Sequence, residues 1–465
     1  MTDYATPPVR AADQHRTELW AHLSDKLQTT EAQISKLIPL RASGQLVKVS
    51  GLIMEVMGCQ MQTGQRCLVQ VNDGSPVEAE VVGFDRDTLL LMPMEYHDGL
   101  SPGAKVTPMG YNSSILVGEP LLGRIIDGAG RPLDNRPAPV GNTTVRLYGP
   151  PINPLHRCPI NTALDVGVRA LNGLLTIGRG QRIGLFAGSG TGKSTLLGMV
   201  ARYTGADIVV LAMIGERGRE VGDFIRHNID EKTRQRSIII AAPADHSPVM
   251  RLRAALLAHR VGEYFRDTGH HVLLLMDSLT RYAQARREVG LAIGEPPAAR
   301  GYPPSVFNMI ARLAERAGNG YHSSGSLSAF YTVLDEGEDD PVGEAARAIL
   351  DGHLVLSHKL AMAGQYPAID VVASISRTMA QSVSAQHMQQ AQFFCQLVEK
   401  AREGYELKTL GVYQAGSDPM MDRAMAARAS MVSYLQQPVN ERQTFDDSLH
   451  QLQALIAGID ADGHC

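Results

Sequence analysis

Apolar spacing changes character three times along the chain. Leu19, Trp20, Leu23 and Leu27 fall on one helical face, and Ile34, Leu37 and Ile38 fall on a second, shorter one. From about residue 45, short β-rich runs take over at 46–56, 67–71, 77–82, 88–92 and 105–108. Asn72-Asp73-Gly74 supplies a hairpin signal among them. A small antiparallel barrel of about 70 residues is the natural closure for such runs. Between 113 and 380, helical and strand patterns alternate, with apolar runs at 183–186, 208–213, 237–241 and 271–276. That alternation implies a parallel sheet with crossover helices. Beyond Thr378 the strands stop, and 379–403, 418–435 and 444–457 read as helices.

The run at 183–186 feeds the segment 187–195, which reads AGSGTGKST and opens a helix carrying Leu196, Leu197, Val200 and Tyr203, stopped by Gly205. This is a phosphate-binding P-loop for a nucleoside triphosphate, although its first position is Ala187 and not glycine. Gly188, Gly190 and Gly192 let the backbone curl, so that N–H groups of the loop, including those of Ser189, Thr191 and Thr195, cradle phosphate oxygens at a helix N-terminus. Lys193 would reach the β- and γ-phosphates, and the Ser194 hydroxyl would hold Mg²⁺. The continuous apolar run 272–276 ends in Asp277, where P-loop proteins hold Mg²⁺ through water. The neighbouring run 208–214 ends in Gly215-Glu216-Arg217, which places Glu216 to orient or deprotonate an attacking water. Arg217 can face the phosphates from the same loop. The expected fold class is therefore α/β. A RecA-like P-loop domain over 113–380 follows a tail (1–44) and a β-barrel (45–112), with a helical domain over 381–465.

Composition narrows the classes of function. The 44 Lys+Arg against 48 Asp+Glu leave a net charge of −4, which gives a sequence-independent nucleic-acid binder no electrostatic support. Five scattered cysteines (Cys59, Cys67, Cys158, Cys395, Cys465) form no CxxC pair and suit a reducing compartment. The N-terminus carries no apolar signal core, and no run approaches the length of a membrane span. A cytoplasmic protein, tied to a membrane only through partners, is the expectation.

Beyond the P-loop, Val117-Gly118-Glu119-Pro120-Leu121-Leu122-Gly123-Arg124 and the segment from Pro367-Ala368-Ile369-Asp370-Val371 to Arg377 resemble the catalytic subunits of the rotary-ATPase superfamily. Within it, Pro150-Pro151-Ile152-Asn153-Pro154-Leu155, Asp165-Val166-Gly167-Val168-Arg169-Ala170 and the stretch from Gly411-Val412-Tyr413 to Pro419 are similar to the type III protein-export ATPases. The flagellar branch is nearest, and virulence-type injectisome ATPases share most of these motifs. The resemblance implies an ATP- and Mg²⁺-dependent homohexamer. In such a ring Arg377, which follows a strand expected at 371–375, is the arginine finger reaching a neighbour's site, and Tyr413 is the aromatic against adenine. A helix-end ion pair for Arg377 and a core position for Tyr413 are the plainer alternatives. The loop from Gly294 to Tyr302 resembles the one facing a central-stalk coiled-coil subunit at the ring pore. Export substrates and their chaperones, and indirectly a membrane export gate, are the implied partners. The tail resembles an adaptor-binding segment, which would leave Trp20 exposed; a helix packed on the barrel would bury it. After Tyr331 the chain is about two residues shorter than the family pattern, and no role is carried over to 331–341. A non-catalytic ring subunit would lack the P-loop lysine or the glutamate, and Lys193 and Glu216 are both present.

Overall fold

The computed structural model describes residues 19–27, 29–30, 42–72, 74–96, 99–109, 114–149, 152–321, 325–334, 337 and 340–462. The short helix expected at Ile34, Leu37 and Ile38 lies outside the described residues, as do Asp73, Pro150-Pro151 and most of the acidic stretch 336–340. Residues 19–27 are helical, and Leu19, Trp20, Leu23 and Leu27 are all exposed, Trp20 at 66%.

Six antiparallel strands close the barrel, in the order Gly44–Ser50, Ile53–Met57, Thr88–Pro93, Val77–Asp85, Arg66–Val69 and Lys105–Pro108. The single run expected at 46–56 is two strands. Gly51, at φ 57°, turns the chain between the paired Ser50 and Ile53. Leu46, Val56, Cys67, Val69, Val81, Leu91 and Val106 fill the interior at 0–1% exposure. The barrel packs directly against the nucleotide domain. Met92 and Met94 share a core with the helix Pro248–Asp267, and Arg253 of that helix pairs with Glu80 at 2.6 Å. Both partners of this ion pair are buried, so removing either would strand the other's charge.

The central sheet runs in the order Ile375–Ser376, Gly352–Leu356, Arg182–Ala187, Ser326–Leu334, His271–Asp277, Ile208–Ile214, Ser237–Ala242 and Ile125–Ile126. All neighbours on this path are parallel except the edge pair 352–356 and 375–376. Ile208–Ile214 is buried throughout. Val210, Ala212 and Ile214 enter one core with helices Pro248–Asp267 and Leu279–Ala292. Val209, Leu211 and Met213 enter another with the P-loop helix Lys193–Tyr203 and the C-terminal helices. Burial on both faces is why these strands read as unbroken apolar runs.

Two further differences from the sequence-based expectation have local causes. The helix expected at 379–403 is broken into Met379–Ser382 and Ala385–Thr409, where Ser384 accepts from His387 N and starts the second helix afresh. The strand expected at 371–375 shrinks to Ile375–Ser376, because the Asp370 carboxylate accepts from Val372 N and Ala373 N and curls the chain into a turn.

Beneath the sheet, His259 is fully buried. Its Nδ1 lies 2.8 Å from the Ala255 carbonyl, which can only accept, so Nδ1 carries the proton. Nε2 then accepts from the Tyr331 hydroxyl at 2.9 Å. Burial, and then the charge of Arg316, push its pKa down from 6.5 to about 4. A depressed histidine keeps the fold's full stability above 6.5 and loses it as pH falls toward the folded value, because only the unfolded chain takes up the proton. Lowering pH from 7 to 5 should therefore cost about 2 kcal/mol through this residue alone. Urea unfolding at the two pH values should show that extra loss in the wild-type chain and not in His259→Gln.

Candidate active site

The chemistry gathers at the carboxyl ends of three strands. Arg182–Ala187 leads into the P-loop, where Gly190 and Gly192 adopt φ 77° and 89°, open to glycine at no steric cost. Thr191, buried, donates its hydroxyl to the Gly188 carbonyl at 2.9 Å and closes the loop on itself. Lys193 begins the helix, while Ser189, Ser194 and Thr195 stay exposed at its mouth. Space at Gly190 is open, since a Cβ there would meet nothing within 4 Å. At the next strand end, Gly215 takes φ 68° and passes so close to Arg281 that an added Cβ would lie 2.7 Å from the arginine's own Cβ. That close passage sets Glu216 beside Lys193.

Lys193 Nζ donates to Asp277 Oδ1 at 2.6 Å and lies 3.6 Å from Glu216 Oε1. Burial disfavours the ammonium, but the two carboxylates outweigh it and hold Lys193 more basic than usual. Glu216 is shifted upward too, which for a carboxylate favours the neutral form. Burial first, and then the charge of Asp277, raise its pKa against the pull of Lys193 and Arg281. Its Oε1 is buried without a hydrogen-bond partner. Thr332, fully buried at the end of Ser326–Leu334, donates its hydroxyl to Asp277 Oδ1 at 2.6 Å. A cradle of positive-φ glycines, a cation already shared between two carboxylates, and an orphaned carboxylate oxygen together fit a magnesium nucleotide and a water.

Three family models match the chain in order. The ATP synthase alpha/beta family beta-barrel domain covers 46–110, its nucleotide-binding domain covers 167–376, and the T3SS EscN ATPase C-terminal domain covers 383–454. The flagellum-specific ATP synthase of Salmonella typhimurium is 51% identical over 442 residues, covering 92% of this chain and 97% of its own. That of Pseudomonas aeruginosa is 51% identical over 89% and 93%. The chain belongs to the ATP synthase alpha/beta family, in its flagellum-specific group. Among solved structures, the assembled ATPase EscN of the enteropathogenic E. coli type III secretion system superposes with a TM-score of 0.84. It is 40% identical over 89% of this chain and all of EscN. EscN in complex with its central stalk EscO gives 0.82.

In this member of the ATP synthase alpha/beta family the remaining expected residues are scattered. Arg217 points away into solvent, its side chain 85% exposed and 3.7 Å from Glu220. Arg377 is exposed at the sheet edge, donating to the Arg347 carbonyl at 3.0 Å. Tyr413 is not at the P-loop. Its hydroxyl donates to Asp422 at 2.6 Å, near the start of helix Pro419–Leu435. The opposite end of that helix is the one near the P-loop, where Gln437 N donates to the Tyr366 carbonyl. At 1.5 Å per residue, about 20 Å of helix separates Asp422 from Gln436. The aromatic that does reach the loop is Tyr366, whose ring edge lies 3.5 Å from where a Gly192 Cβ would stand. It directly precedes the Pro367–Arg377 segment, and that adjacency was its only sequence signal. Thr332 gave less signal still, as one hydroxyl in an otherwise ordinary strand.

The different placements of Lys193 and Glu216 separate binding from chemistry. Lys193→Ala should lose nucleotide affinity, measured by equilibrium binding. Glu216→Gln should bind ATP nearly normally yet release phosphate at least ~100-fold more slowly at steady state. Near-normal turnover in Glu216→Gln would remove it from the mechanism.

Proposed function

We propose that this chain is the Mg²⁺-dependent ATPase of a flagellar type III protein-export apparatus, hydrolysing ATP to unload and promote export of flagellar proteins. The observation that carries the reading is Lys193 held between Asp277 and Glu216 at the mouth of a P-loop. On binding ATP, Lys193 exchanges its carboxylate partners for the β- and γ-phosphates. Ser194 and Asp277 would hold Mg²⁺, which would supply neutralisation of charge on the phosphate oxygens. Thr332 keeps Asp277 in place as the lysine leaves. Glu216, with its pKa raised and one oxygen free of hydrogen bonds, orients the attacking water and draws its proton. Tyr366 flanks the base.

Arg377 completes the site of the next subunit in a homohexamer, since its exposed side chain sits apart from the Lys193 cluster of its own chain. Pro296, Pro297, Ala298, Ala299 and Arg300 are exposed, with Arg300 at φ 45°. They form a stiff, projecting loop suited to a central stalk, the kind of partner with which EscN has been solved. The exposed face of Leu19, Trp20, Leu23 and Leu27 suits a stator-like adaptor. Export substrates and chaperones engage the ring. The membrane gate is reached through these partners, and among the described residues no helix is long and apolar enough to cross a membrane. The likeness to EscN favours a second reading, service in a virulence-type secretion system. Deleting the gene and scoring swimming separates the two: a strain that swims normally excludes the flagellar role.

Arg377→Ala should bind ATP and hydrolyse it ~10³-fold more slowly, the size of effect seen for arginine fingers. Mixed with Glu216→Gln, it should recover activity that neither variant has alone, because some interfaces then pair an intact Glu216 with an intact Arg377. Verified mixed hexamers with no regained hydrolysis would refute action across the boundary.

A further inference from the structure

Arg377 follows a strand of only two residues, so its aim depends on what grips that strand. Two ties run through Asp351. Its carbonyl accepts from Arg377 N at 3.0 Å and from Gln181 Nε2 at 3.0 Å, and the same Nε2 donates to the hydroxyl of Ser376. Its carboxylate takes three hydrogen bonds from Arg182, from N and Nε to Oδ2 (3.0 and 2.8 Å) and from Nη2 to Oδ1 (3.0 Å). Arg182 is the first residue of the P-loop strand.

The other end of that strand is tied as well. Phe186, buried beside Ala187, carries the Arg347 guanidinium 4.2 Å from its ring centroid. The Arg347 carbonyl in turn accepts from Arg377 Nη2. Between the two ties, Gly352 lets the strands close up, since a Cβ there would lie 2.4 Å from the Ile375 carbonyl oxygen. Backbone and guanidinium of Arg377 are thus referred to two separate places on one strand, the strand that carries its own subunit's P-loop.

We propose that Asp351 and Arg347 are positioning residues that aim Arg377 from the P-loop strand of its own subunit, so that removing either weakens hydrolysis in the neighbouring subunit's site. This rests on the reading of Arg377 as a finger acting across the boundary. The same ties make the finger's position answer to the P-loop strand behind it, a short mechanical route from one site of a ring to the next. Asp351→Ala leaves Arg182 with Glu315 as a remaining partner, so the cation is not stranded.

Asp351→Ala should bind ATP within about 2-fold of wild type, yet turn over ~10–100-fold more slowly, since a shift of about 1 Å in a catalytic group can cost 10²-fold. Mixed hexamers then assign the defect to a side of the interface. Asp351→Ala mixed with Glu216→Gln should regain activity, with roughly a quarter of randomly filled interfaces competent. Mixed with Arg377→Ala it should regain none, because every finger is impaired. The reverse pattern, recovery with Arg377→Ala only, would mean that Asp351 serves its own P-loop and would overturn the proposal. Wild-type turnover of Asp351→Ala hexamers would overturn it too. Arg347→Ala, at a half-buried position, should show the same mixing pattern and decides the matter if Asp351→Ala melts early. The control mixture of Arg377→Ala with Glu216→Gln tests the underlying reading. If it fails to recover, the finger across the boundary falls and this proposal with it. If it recovers while Asp351→Ala with Glu216→Gln does not, only the positioning role falls.

Discussion

A lysine ammonium held between two buried carboxylates is the interaction around which the nucleotide domain is arranged. Lys193, Asp277 and Glu216 come from places 84 residues apart or less in the chain, yet their charged atoms lie within 3.6 Å of the ammonium. Each lies at or just beyond the end of a strand, and parallel register brings those strand ends to one edge. Met213 pairs with Asp277, and Ala187 pairs with Leu334 two residues beyond Thr332. Removing the lysine would leave two carboxylates facing one another in a poorly solvated place, which is costly. A phosphate chain can take over the lysine because it offers equivalent negative charge.

Such a cluster needs a scaffold that does not yield. The sheet is covered on both faces by separate cores, and its strands carry apolar side chains alternately into each. The barrel is anchored to one of these cores by Met92, Met94 and the buried Glu80–Arg253 pair. The C-terminal helices pack in the other, beside the P-loop helix. Close packing on both faces leaves the nucleotide-binding strand ends little local slack.

On the proposed reading of Arg377, the sheet edge beside it is where one subunit's scaffold would meet the chemistry of another. The antiparallel pairing of Ile375–Ser376 with Gly352–Leu356 caps the sheet on the side nearest the P-loop strand, and Arg377 leaves it facing outward. On that reading, a site whose lysine, glutamate and aspartate are internal but whose fourth charge projects away is only partly built within a single chain.

Much of this was legible in the residues themselves. The P-loop is a local device, in which glycine torsions, a helix start and a lysine sit within nine residues, and torsional preference acts over that range. Asp277 and Glu216 were readable because a buried parallel strand is a continuous apolar run and the polar residue ending it lies at the sheet's carboxyl edge. Local chemistry also misled where a single side chain intervened. Gly51 split one expected strand, Ser384 restarted a helix, and Asp370 curled away most of the strand before Arg377. Distances across the fold were not legible at all. The sequence motifs pointed to Tyr413 and passed over Tyr366, the aromatic that lies beside Gly192. Thr332 reaches Asp277, and Asp351 grips Arg182, only because strand register sets them side by side. Periodicity and turn chemistry decide what each segment becomes. Which side chains meet is decided by the pairing of segments remote in sequence, and that pairing depends on the burial of all of them at once.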